Sequence, residues 1–290
     1  MDSVRMNNAN RLWWGFSLYM VVWLAVYFTA LRELVLMAGR SELHSHTVLI
    51  PLVSAYFLFQ ERRTIFSSVR PALGAGLAFV AVGIVAYGFG MLQGSSLDPH
   101  GGLSLSIFSA CAVFIGGFLL FFGSRAFREA LFPLFFLVFM IPLPLAVGDP
   151  IVAFLQRGSA DATDLILKTL GVPFLREGLS FHLARVSVEI APECSSIRSS
   201  MALLITGTVA AKLFLGRWWS RSALVLITIP LALVKNAIRI VTLTLLAQYV
   251  DMRFLTGHWL HRSGGFVFFL ITFALFAGIL LLLRWAEERY

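Results

Sequence analysis

Residues 222–247 read SALVLITIPLALVKNAIRIVTLTLLA. A helix needs about 20 apolar residues to cross a bilayer core roughly 30 Å thick, and this stretch is long enough. The surprise is polar: Lys235, Asn236 and Arg239 stand inside the run. The rest of the 290 residues have the same character. Hydrophobic residues make up 59% and charged residues 13%, against roughly 45–50% and about 25% in soluble domains. These values exclude an ordinary soluble enzyme and a disordered chain. They also exclude a nucleic-acid-binding domain, since the +8 net charge is scattered between apolar runs rather than gathered in a patch. Two cysteines exclude a disulfide scaffold. The expectation is an all-α multipass membrane protein, one domain over 1–290, without internal repeats.

Eight candidate spans follow, at 12–31, 45–60, 71–92, 103–123, 129–147, 199–215, 222–247 and 263–283. The second has a short apolar part, Thr47 to Phe59. The fifth contains Pro133, Pro142 and Pro144 and should be kinked or broken near its end. The first run is long and lacks a small-residue cleavage site, so no cleavable signal peptide is expected. On this layout the amino-terminal side carries twelve Lys and Arg, the other side nine, and Lys235 and Arg239 lie within a span. The acids divide five to ten. The positive-inside rule then puts both termini in the cytoplasm. All six histidines and Cys194 fall on the outer side.

The longest outer segment, 148–198, is not a plain loop. Ile151, Phe154, Leu155, Leu165, Ile166 and Leu170 suit a helix over 150–170 lying on the membrane surface, although Gly158 and its small neighbours weaken the pattern. Over 172–190, Val186, Val188 and Ile190 alternate with Ser187 and Glu189, and Glu177-Gly178 is a turn signal. A short β-hairpin is expected there.

Cys194 stands in Ala-Pro-Glu-Cys-Ser-Ser-Ile-Arg-Ser-Ser at the outer mouth of the sixth span. If Pro192 starts the helix, Cys194 lies in its first turn, where the helix dipole favours thiolate, and Arg198 adds positive potential on the same face. The plainer reading is a small residue at a helix end. Cys111, mid-span, reads as packing, and a disulfide between the two is not expected. No Asp or Glu lies within the core of any span for Arg239 to pair with. The arginine either snorkels to the outer interface or faces a polar cavity and meets an anion there, with Asn236 on the same face and Lys235 lining the wet space. His258 and His261 are either interfacial or metal-ligating, with His44 and His46 as further ligands. No acid accompanies them in a pattern such as His-Glu-x-x-His, so no metal is expected. Cys194, Arg239 and His261 all sit near the outer ends of successive spans. A thiol, a cationic stabiliser and a proton relay are the parts of an acyl-transfer site.

These residues resemble the exosortase/archaeosortase family of membrane cysteine transpeptidases. Glu193-Cys194-Ser195-Ser196-Ile197-Arg198 is similar to a Cys-Ser-Gly-[Ile/Leu]-Arg motif except at Ser196. Asn236-Ala237-Ile238-Arg239 matches Asn-x-x-Arg, and His261 through Gly265 matches His-x-x-x-Gly. Ser45 to Arg63, Phe132 to Pro144, Leu170 to Pro173 and Arg176 to Gly178 extend the resemblance to about residues 44–270. The resemblance implies Cys194 as nucleophile, Arg239 as stabiliser of thiolate or oxyanion and His261 as acid/base. Glu193, Arg198, Asn236 and His258 would be supporting residues. It implies membrane-anchored substrates of exported proteins that end in a motif such as Pro-Glu-Pro, a transmembrane helix and a basic cytoplasmic tail. Thiolate chemistry needs no cofactor. Two other classes stay open on the residues alone. One is a transporter or channel with Lys235 and Arg239 lining an anion path; the other is a non-catalytic subunit of a polysaccharide-export system. A serine intramembrane protease is disfavoured by the lack of Gly-x-Ser-x-Gly, and an aspartyl one by the lack of acids within spans.

Overall fold

Apolar runs become helices throughout, because a chain in lipid must satisfy its peptide groups internally. The computed structural model describes residues 2–40, 42–67, 69–93, 99–192, 196–256 and 259–289. The helices are α1 (Asp2–Arg40), α2 (Leu49–Gln60), α3 (Arg62–Ile65), α4 (Leu73–Leu92), α5 (Pro99–Glu129), α6 (Leu131–Phe136), α7 (Leu145–Thr169), α8 (Ile197–Phe214), α9 (Trp218–Tyr249), α10 (Arg253–Thr256) and α11 (Trp259–Arg289). Strands β1 (Leu175–Glu177), β2 (Ser180–His182) and β3 (Ser187–Glu189) lie between α7 and α8.

Among the described residues, six helices are long and apolar enough to span a bilayer, or seven if the broken pair Leu131–Met140 and Leu145–Thr169 is one span. The expected eight is therefore not matched. Six of the expected spans correspond to long helices. The second is a 3₁₀ turn, Glu42–Val48, followed by the 12-residue α2, which is too short to cross on its own. The fifth breaks over Ile141–Pro144, where Pro142 and Pro144 cannot donate to a helical ladder.

Two compact units divide the chain, Met1–Val147 and Gly148–Tyr290. In the first, α4 and α5 approach closely through glycines. A Cβ on Gly83 would stand 2.5 Å from Val113, and one on Gly116 2.7 Å from Val80. Such small-residue contact is how membrane helices gain van der Waals packing when lipid is as apolar as the side chains. The aromatic face of α1 covers α5 and satisfies its polar groups: Tyr19 donates to the Val113 carbonyl at 2.6 Å and Trp23 to the Ala110 carbonyl at 2.9 Å. Cys111 is buried in this packing, as expected. At Gly123 α5 departs from helical geometry (φ 87°), and a Cβ there would lie 1.6 Å from the Arg70 carbonyl oxygen, so no other residue fits.

In the second unit, α7 occupies the expected helical stretch. Its buried positions Leu155, Gln156, Ser159, Ala160, Thr163 and Leu167 form one stripe at helical spacing. The expected hairpin is a three-stranded antiparallel sheet, order β1-β2-β3. The turn falls at Gly178, whose φ is 63°, and a second turn adds β3. Phe181, Ile190, Leu167, Ala160, Ile240 and Val241 make a shared core that fixes the sheet to α7 and α9.

Candidate active site

The polar residues of α9 find their partners on other helices. Asn236 is 1% exposed. Its side-chain nitrogen donates to Ser159 Oγ of α7 at 3.0 Å, and its oxygen accepts from Ser196 Oγ, at the start of α8, at 2.5 Å. Lys235 is also buried and donates to Ser199 Oγ of α8. One polar set thus ties α7, α8 and α9 together where apolar packing would otherwise leave amide and ammonium unsatisfied. The expectation of Lys235 lining wet space is replaced by this buried contact.

The turn before α8 is strained. Ser196 has φ 58° and ψ 22°, the one positive φ at a non-glycine among the described residues. Its carbonyl accepts from Ser199 Oγ and Ser200 Oγ, each at 3.0 Å, and from the Ser200 N–H at 2.9 Å. A serine side chain thereby occupies a left-handed position that favours glycine. In the resemblance this is also the glycine position. The helix α8 begins at Ile197; the expected helical start at Pro192, with Cys194 in its first turn, runs into residues 193–195, outside the described residues. Arg198 is the second residue of α8 and is exposed. The expected pairing of positions 194 and 198 on one helix face rests on Cys194, which lies outside the described residues.

Arg239 is one turn along α9 from Lys235 and Asn236, half-buried, with its Nε fully buried. It lines a cavity of about 220 Å³ together with Asn236, Ile240, Leu243 and the strand from Ser187 to Ile190. That strand is held from behind, since Gln156 donates to the Ile190 carbonyl at 2.7 Å. Arg239 therefore faces the end of β3, and Lys235 stands one turn earlier on α9, buried against Ser199 of α8. In a low-dielectric surround a guanidinium favours an anion far more than it would in water.

Glu193, Cys194 and His258 lie outside the described residues. His261 is the third residue of α11, and its side chain also lies outside the described part. His44 and His46 stand in the 3₁₀ turn of the first unit. The structure brings together Asn236, Lys235, Ser196, Ser199 and Ser159, with Arg239 beside them. The sequence reading missed three contributors. Ser199 was visible as the serine three residues beyond Ser196. Ser159 was hidden in Gly158-Ser159-Ala160, where small residues looked like a weak helix rather than a close approach. The strand Ser187–Glu189 was expected as a strand, but its place beside the cavity has no local signal, since only the fold brings it to α9.

No curated protein and no solved structure matches the chain. The family described as transmembrane exosortase matches over residues 38–278, most of the length and a range within which the three motifs fall. The chain belongs to the transmembrane exosortase family.

Proposed function

We propose that this membrane protein is a cysteine protease/transpeptidase that cleaves a C-terminal sorting signal on exported proteins. The observation that carries the reading is the Ser196–Asn236 hydrogen bond. Cys194 is two residues from Ser196, a reach of at most about 7 Å along the chain, and Asn236 is one turn from Arg239. In this mechanism the Cys194 thiolate, favoured by Lys235 and Arg239, attacks the scissile carbonyl. The carbonyl electrons move onto oxygen, where the Arg239 guanidinium stabilises the developing charge. Collapse of that intermediate breaks the C–N bond, and His261 delivers a proton to the leaving amine. A thioester on Cys194 remains, and water or an acceptor amine releases it. Glu193, Arg198 and His258 support the site in this reading. On the layout expected from the sequence, the excess of Lys and Arg on the amino-terminal side supports both termini in the cytoplasm and the active site at the outer face. The substrate's basic tail stays inside and its helix shares the bilayer, so tethering raises the effective concentration.

The test is co-expression with a reporter ending in Pro-Glu-Pro, an apolar helix of about 20 residues and an arginine tail. Cys194→Ala should lower processing by about a thousandfold or more with membrane insertion intact, and Cys194→Ser should be similarly poor. Normal processing by Cys194→Ala refutes the assignment. An anion path through Lys235 and Arg239 would instead show Arg239-dependent flux in liposomes with Cys194 dispensable.

A further inference from the structure

The sheet in the second unit ends in an edge that opens onto the Arg239 cavity. Its register shows which main-chain groups face outward. Leu183 N–H donates to the Val186 carbonyl at 2.8 Å and Ile190 N–H to the Leu179 carbonyl at 3.1 Å, while Val188 is opposite Phe181. In an antiparallel ladder alternate residues bond the same neighbour. Val186, Val188 and Ile190 therefore turn their peptide groups to β2, and Ser187 and Glu189 turn theirs away. Among the described residues no main-chain group bonds Ser187 or Glu189 on that side. Both residues line the cavity that Asn236 and Arg239 bound from the other wall. Gln156 of α7 grips the Ile190 carbonyl at one end of β3, and at the other end the turn before it is tied to α9, where Arg185 N–H donates to Gln248 Oε1 at 3.0 Å.

We propose that the free edge of β3 takes up the outer segment of the substrate as an added strand, pairing its main chain with Ser187 and Glu189 while Arg239 faces it across the cavity. The inference rests on the protease reading above and specifies how that site holds its substrate. Three features select an extended peptide as the occupant. The edge offers alternating N–H and C=O groups, which an extended main chain complements and a lipid tail or helix does not. The opposite wall carries a guanidinium, which suits the carbonyl oxygens of such a strand and the oxyanion formed from one of them. The chain reaches Cys194 four residues after Ile190, at most about 14 Å along the chain, so the nucleophile is within reach of a strand bound here. Recognition through main-chain bonds also leaves side-chain choice to the pocket between strand and helix, where Val188, Ile240 and Leu243 are apolar.

The experiment uses the full chain in detergent or nanodiscs and a synthetic peptide carrying Pro-Glu-Pro, the apolar helix and an arginine tail. Glu189→Pro deletes an outward N–H and leaves the β2 ladder intact, because proline is tolerated where the N–H faces away from the sheet. Glu189→Ala removes only the side chain. Glu189→Pro should lose at least tenfold more kcat/KM than Glu189→Ala, mainly through KM, with Cys194 alkylated at the wild-type rate. Should Glu189→Pro fail to fold, N-methylation of single amides in the peptide, read against the wild-type enzyme, replaces it. Methylation should block cleavage at every second position near the scissile bond. Equal loss in the proline and alanine variants, or an N-methyl pattern without period two, overturns the strand-addition proposal while the protease reading stands. No cleavage by the wild-type enzyme overturns both.

Discussion

Ser196 offers a test in which two opposed effects separate. Its φ of 58° costs an L-residue about 1–2 kcal/mol relative to glycine. Its hydroxyl donates to Asn236 at 2.5 Å, and such a bond contributes about 1 kcal/mol, with membrane cycles averaging nearer 0.6. Ser196→Ala keeps the backbone strain and loses the bond, so it should destabilise by about 1 kcal/mol. Ser196→Gly loses the same bond and relieves the strain. It also gains about 0.4–1 kcal/mol of unfolded-state entropy, which acts the other way. The balance leaves glycine roughly 0.5–1 kcal/mol more stable than alanine and close to the serine parent. At about 2–4 °C per kcal/mol, the alanine variant should melt about 2–4 °C below wild type and the glycine variant within about 2 °C of it. Thermal unfolding of the purified protein, followed by size-exclusion recovery and circular dichroism, reads this order. A double-mutant cycle with Asn236→Ala should return a coupling of about 1 kcal/mol. If alanine is as stable as glycine, the left-handed turn is not the cause. If the cycle shows no coupling, the hydrogen bond is not.

Other outcomes follow from the same geometry. Replacing Lys235 by Met removes a buried cation beside Arg239, lowers the thiolate fraction of Cys194 at neutral pH, and should slow iodoacetamide labelling about tenfold for each 1.4 kcal/mol of lost electrostatic support; an unchanged rate contradicts the proposed cation pair. Glu287 accepts from the Gly216 and Arg217 N–H groups at 2.8 Å each and from Ser220 Oγ, capping the start of α9 from the far end of α11. Glu287→Ala should therefore cost about 1 kcal/mol, seen as a melting shift that Asp in its place does not fully restore. Gly123→Ala would drive a Cβ into the Arg70 carbonyl at 1.6 Å and should prevent accumulation of folded protein, whereas Gly74→Ala, with open space around its Cβ, should leave yield unchanged.

The sequence alone settled the solvent and the main elements. A hydrophobic content of 59% leaves only the bilayer as surroundings. Runs of Leu, Val and Ile near 20 residues can there form only helices, because unpaired peptide groups in lipid are too costly. It also marked α7, the Gly178 turn and the polar trio of α9, since each has a local signature: an apolar stripe, a Glu-Gly pair, charges in an apolar run. Local signals failed where length or long-range contact decides. The 45–60 run is apolar but splits into a 3₁₀ turn and a 12-residue helix. The left-handed turn at Ser196 has no local signature, because its hydroxyl is tied to Asn236 of α9. That bond joins residues 40 positions apart, and the Asn236–Ser159 contact joins residues 77 apart. No periodicity encodes such pairs. Only the packed helices bring those serines, Lys235 and Arg239 to one polar region and turn the β3 edge toward it. A buried amide or ammonium must find its hydrogen-bond partner in three dimensions, wherever in the chain that partner lies.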